Sequence, residues 1–227
     1  MLIRTCSETS NTMLRFFRGA LNFYTRDKLM DNTKVKALFM LILASALVAI
    51  SAVAQAGMES GIAAYNKGDY PAALNVLQPL ATKGNATAQL YLGRMYTKGM
   101  GLSPDYNKAI FWTRKAAERK NVEAQYFLGF LHHYGLGTPQ DYREAMLWYH
   151  KAAELGNTKA QASLGSMFAS GQGVPQDLVL AYKWFKLAAS LGETDTLVKL
   201  RAIEEDMDPQ QIKEAQALAQ KWLEKRK

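Results

Sequence analysis

One cysteine, Cys6, is all the sequence holds, and nothing after it carries a thiol. No disulfide can staple the chain, and zinc sites built on three thiolates are excluded. Histidine is almost as scarce, with His132, His133 and His150 alone. His132 and His133 are adjacent, and adjacent residues do not share a helix face, so they make a poor metal chelate. His132 falls where a buried aromatic residue belongs, whereas His133 and Tyr134 are expected to be exposed. The patterns H-E-x-x-H, G-x-S-x-G and G-x-x-x-x-G-K are missing, so the common hydrolase and phosphate-binding motifs do not apply. Acid pairs such as Glu204-Glu205 read as a solvated helix surface. The expectation is a chain with no catalytic residue, no metal site and no cofactor.

Dense charge of one sign is also missing. The formal excess of +8 is divided, with seven Lys/Arg against three Asp/Glu in residues 1–56 and 21 against 17 in residues 57–227. The larger part is therefore only mildly basic and lacks the cationic stripe of a nucleic-acid binder. Lys225-Arg226-Lys227 reads as a solvated terminus.

A single long apolar run is present. Lys34-Val35-Lys36 precedes the uncharged stretch 37–54, and Ala54-Gln55-Ala56 follows as a small-x-small site. Charged, apolar and cleavage regions in this order form a secretory signal peptide over 30–56, with Met30 as its natural start. Residues 1–29 then read as a disordered upstream extension, and the mature chain begins at Gly57 in the periplasm or outside the cell. If uncleaved, the run is just long enough to tether the protein to the inner membrane, facing the periplasm. An organellar transit peptide over 13–28 is a third reading.

What dominates the rest is a repeat of 36 residues. Ala88-Gln89 returns as Ala124-Gln125 and Ala160-Gln161; Gly99-Met100-Gly101 returns as Gly135-Leu136-Gly137 and Gly171-Gln172-Gly173. Trp112 returns as Trp148 and Trp184, and Ala116-Ala117 as Ala152-Ala153 and Ala188-Ala189. A fixed period of this size marks a stacked-repeat architecture. In the middle copy, Ala124, Leu128, Leu131 and His132 define one face of a helix A. Gly129 lies inside it at a cost of about 1 kcal/mol, so close approach of another helix is expected there. Gly135 and Gly137 end helix A and turn the chain. Asp141, with Glu144 three residues on, has the pattern of a capping box. Helix B follows, with Ala145, Trp148 and Ala152 on its buried face, and Gly156-Asn157 closes it. Each Trp is expected to fill a groove left by the paired alanines.

The full copies span 88–123, 124–159 and 160–195. A degenerate copy, 57–87, precedes them without the Gly-x-Gly turn, its helix A ending over Ala63–Gly68. A C-terminal part, 196–227, follows. Here 195–206, overlapping the last full copy by one residue, reads as one more helix A and 211–225 as an amphipathic capping helix with Ile212, Ala215, Leu218 and Trp222 on one face. Terminal units of a stack are atypical because one side meets water.

These residues resemble Sel1-like repeats, 36-residue relatives of tetratricopeptide repeats, over roughly 58–195. Departures are His132, where Tyr96 and Phe168 stand in the other copies, and Lys120, where Gly84, Gly156 and Gly192 stand. The resemblance implies an all-α, right-handed α/α superhelical solenoid whose members mostly serve as adaptors for other proteins. A cysteine-rich branch is linked to β-lactams, and the cysteines of that branch are missing here.

A partner surface is expected on the variable face of helix A. Tyr91, Arg94 and Lys98 in the first full copy correspond to Phe127, Phe130 and Tyr134 in the second and Ser163, Ser166 and Ser170 in the third. Each trio is spaced i, i+3, i+7 and lies along one side of its helix. An aromatic patch between a cationic and a hydroxyl strip suits an apolar peptide anchor with a nearby carboxylate. The competing reading packs Phe127 and Phe130 between helices. The function expected is a non-catalytic protein-interaction module of the cell envelope. An envelope enzyme acting on peptidoglycan or β-lactams is the alternative, and a membrane-tethered scaffold is the second.

Overall fold

The computed structural model describes residues 32–226, so the extension assigned to 1–29 and the first residues of the leader lie outside the described residues. Among the described residues there are ten helices and no strand: α1 (Asn32–Asn66), α2 (Tyr70–Thr82), α3 (Ala86–Lys98), α4 (Tyr106–Glu118), α5 (Val122–Tyr134), α6 (Tyr142–Glu154), α7 (Thr158–Ser170), α8 (Leu178–Ser190), α9 (Thr196–Glu204) and α10 (Pro209–Glu224). The chain divides into two units at Gln55/Ala56. The first contains the apolar run, which is helical throughout as the beginning of α1. Several of its side chains lie outside the described residues; among the described ones no helix is long and apolar enough to cross a membrane.

The second unit is a row of hairpins in which each helix from α2 to α8 packs against the next. Local chemistry sets the boundaries. Asn85, Asn121 and Asn157 cap helices A by accepting from Ala88, Ala124 and Ala160 N–H. Asp105, Asp141 and Asp177 do the same for helices B. Helix A ends at Gly99, Gly135 or Gly171, each in the left-handed region. The expected capping box at Asp141 is not closed. Glu144 turns away to accept from Trp148 Nε1 at 2.8 Å, and the reciprocal box forms instead between Asp208 and Gln211.

The glycine inside helix A behaves as its cost suggested. A Cβ on Gly129 would stand 2.7 Å from the Tyr149 ring of helix B in the same hairpin, and one on Gly165 would stand 2.5 Å from Phe185. The degenerate unit keeps this device at Gly61, where a Cβ would meet Leu77 at 2.9 Å. Gly61 lies 32 rather than 36 residues before Gly93, because the turn after α1 is four residues shorter. The second glycine of each turn has a separate task. A Cβ on Gly173 would meet Tyr142 Cβ, at the start of the preceding helix B, at 2.8 Å.

The tryptophans follow the groove they meet. Trp148 is buried with Ala116 and Ala117, and Trp184 with Ala152 and Ala153. Trp112 is only half-buried, a departure from the expected pattern. Leu80 occupies the place of the first alanine in the groove before it and packs on the same cluster. The invariant glutamines close the joints. Gln89, Gln125 and Gln161 are buried, and their Nε2 atoms donate to the carbonyls of Ala81, Ala117 and Ala153 at 3.0, 3.3 and 3.2 Å. Each glutamine thus ties the end of one helix B to the next helix A.

The C-terminal part is shorter at α9 than expected, Thr196–Glu204, and α10 lies along α8. Ala215, Ala219 and Trp222 are its buried residues, and Trp222 Nε1 reaches back to Glu154 at 3.1 Å.

Candidate functional site

Helix A presents its conserved-type positions to the stack and its variable ones outward. Leu92, Leu128 and Leu164 are buried, whereas Lys98, Tyr134 and Ser170 are exposed. The remaining six residues of the three trios are half-buried.

The aromatic residues form one connected surface. Phe127 and Phe130 stack with an interplanar angle of 12° and centroids 5.9 Å apart, and Phe130 meets Tyr134 at 4.6 Å. Arg94 lies over Tyr91 at 5.8 Å and over Phe127 at 5.9 Å, bridging two units. Tyr65 of α1 extends the surface, contacting Tyr91 edge-on at 4.8 Å. Tyr65 is not at a trio position: aligned on Gly61, it stands at the place of Thr97, His133 and Ala169. The packing reading holds for Phe127 alone. Phe127 packs on the core cluster containing Leu90 and Trp148, and Phe130 and Tyr134 stand outside that cluster.

The cationic strip differs from the expected one. Arg94 donates to Glu123 at 3.1 Å, and Glu123 also accepts from Asn157 Nδ2 at 2.8 Å. This chain links three successive helices A and commits the Arg94 charge within the protein. Lys98 is exposed and supplies the available cation at that end. On the hydroxyl strip, Ser166 and Ser170 donate to Ala162 and Ser166 carbonyls. Lys199 of α9 donates to Ser166 Oγ at 3.2 Å.

The histidines are placed for packing. His132 is buried, and its Nε2 lies 3.3 Å from Arg114. His133 is half-buried rather than exposed, with its ring 5.2 Å from Tyr142 and 4.7 Å from Tyr134. Burial pushes both imidazoles below their ordinary value. It also raises the Tyr149 hydroxyl far above its own. Among the described residues no three His, Cys, Asp or Glu side chains converge as a metal would need.

Repeated hairpins with buried seams and a chemically varied outer face define an α/α solenoid. The chain carries three Sel1 repeats: the Sel1 repeat model matches 86–121, 122–157 and 158–193, each beginning two residues before the copies as read from sequence. It is similar to the crystal structure of a Sel1 repeat protein from Oxalobacter formigenes, with 31% identity and a TM-score of 0.60 over 63% of this chain. It is also similar to a protective antigen of uropathogenic Escherichia coli strains that displays an SLR fold, with 26% identity and a TM-score of 0.53 over 75% of this chain. The chain spans 58% and 45% of the lengths of these two structures. No curated protein matches it. Sel1 repeat proteins are generally protein-interaction modules and are typically non-catalytic.

Proposed function

We propose that this protein is a protein-interaction module of the cell envelope that holds a peptide segment on its helix-A face. The observation that carries the reading is the aromatic surface of Phe130 and Tyr134, with Tyr134 58% exposed at the centre of the repeats. Large aromatic residues that bury few of their own atoms in the fold are suited to bury a partner's. Lys98 stands at the end of α3 to receive a carboxylate, and the Arg94–Glu123–Asn157 chain fixes the spacing of the helices that display the surface.

Residence in the periplasm or outside the cell is part of the same proposal. It rests on the sequence of 30–56 and on where the stack begins. Gln55 and Ala56 are exposed and Met58 is the first buried residue of the second unit, so cleavage after Ala56 removes nothing from its core. Sequencing the N-terminus of the purified protein is expected to give Gly57. A retained apolar run would instead make it a tethered scaffold.

The binding reading is tested by capture from envelope extract with the wild type and with a Phe130→Ala/Tyr134→Ala variant. Capture of a specific protein is expected to be lost in the variant, with the far-ultraviolet spectrum unchanged. An identical captured set from both would overturn it. Turnover of a β-lactam or peptidoglycan substrate that disappears on changing His133 would favour an envelope enzyme instead.

A further inference from the structure

The last helix A keeps the register of the others, with replacements at the glutamine and glycine places and a threonine at the alanine place. Thr196, Leu197, Leu200 and Arg201 stand 36 residues after Ala160, Gln161, Leu164 and Gly165. Arginine at the glycine place cannot admit a helix B at the separation seen at Gly165, where a Cβ alone would lie 2.5 Å from the Phe185 ring. Leucine at the glutamine place cannot donate to a carbonyl of the preceding helix B, as Gln161 does. α10 accordingly lies along α8, instead of closing a hairpin on α9 as α8 does on α7. One side of α9 is left open. Leu197 is 45% exposed and Val198 is 75% exposed, the most exposed large apolar side chain among the described residues.

The end of a helical stack needs a polar outer face to stay separate in solution, and an apolar one marks a contact. The charges around Val198 say which contact. Asp195 lies three residues before it and Arg201 three after, so both flank Val198 on one side of α9. Asp195 begins the helix, but its carboxylate caps no backbone N–H. Among the described residues neither Asp195 nor Arg201 has an ion-pair partner within 4 Å. When two antiparallel helices are related by a twofold axis beside one residue, the residue three before it in one copy comes level with the residue three after it in the other. Centred on Val198, Asp195 of each copy is level with Arg201 of the other.

We propose that α9 is the site where a second copy of this chain docks, as an isologous antiparallel pair. Val198 packs on Val198, Leu197 flanks the contact, and two Asp195–Arg201 pairs close its ends. Isologous contacts of this kind terminate at the dimer and leave no further surface to grow from. Two apolar side chains and two ion pairs per copy fall well short of the roughly 800 Å² per partner of a standard interface, so the contact is a weak, concentration-dependent one. The contact lies on α9 and is independent of the aromatic surface on α5.

The test is sedimentation velocity from dilute to highly concentrated solution, as a weak contact requires, on protein purified in the form the cell leaves it. Apparent mass is expected to rise from monomer towards dimer and stop there. Val198→Asp, Asp195→Arg and Arg201→Asp should each weaken association about tenfold or more. The Asp195→Arg/Arg201→Asp double variant should restore it to within about threefold of wild type. These positions are exposed, so each variant should melt with the wild type. A monomer at every concentration, growth past the dimer, or a double variant no better than the singles would each overturn the proposal.

Discussion

Lys120 holds a left-handed backbone, φ 62°, at a joint where Gly84, Gly156 and Gly192 take positive φ freely. That conformation costs a side-chain-bearing residue about 1–2 kcal/mol. Lys120→Gly is therefore expected to stabilise the protein by about 1 kcal/mol, seen as a rise in the urea midpoint without a change in slope. Gly129→Ala should do the opposite. Alanine gains about 1 kcal/mol in helix propensity, but its Cβ meets Tyr149 and the Ala145 carbonyl, and overpacking costs about 1–3 kcal/mol. The histidines give a pH dependence of known sign. Burial lowers both folded values below the ordinary 6.5, so the unfolded chain binds these protons more readily. Stability is whole above pH 6.5 and is lost as pH falls from there towards the folded values. His132→Phe, which installs the residue found at Phe168, should flatten the decline in thermal midpoint between pH 7 and pH 5; an unchanged slope would assign the loss elsewhere.

At the scale of the element, helices A and B were legible because their signals are local and recur in register. The Asp caps, the left-handed glycines and the Ala–Trp face can all be read from side-chain chemistry alone. The glutamines could not be assigned, since their partner carbonyls sit on the previous helix and only the packed joint shows them. Glu144 misled for a related reason. Its spacing to Asp141 fits a cap, but the Trp148 indole one turn on is a closer partner. On the partner surface, the face was legible and the free charge was not, because the Arg94–Glu123 pair spans two units. The tryptophans separate local from packed effects. Trp148→Ala is expected to cost about 3–5 kcal/mol in chemical unfolding, and Trp112→Ala clearly less because Leu80 keeps Trp112 half-exposed.

At the scale of the molecule, stability comes from neighbour-to-neighbour contacts, so the stack tolerates change on its outer face. That separation allows one side of the helices to be invariant in type while the other varies from Arg94 to Phe130 to Ser166. It also accounts for the end of the stack, where Arg201 and Leu197 break the joint and redirect α10. In the degenerate start only helix A left the 36-residue count, since a shorter turn moved Gly61 out of step while keeping its close approach to helix B. We propose that the varied face of helix A is where the protein is used. Amide hydrogen exchange of the purified protein, alone and with its captured partner, tests it most directly. New protection is expected on α3 and α5 about Tyr91–Lys98 and Phe127–Tyr134, with the helix-B backs of α4 and α6 unchanged. Protection confined to those backs, with α3 and α5 unaltered, would contradict it.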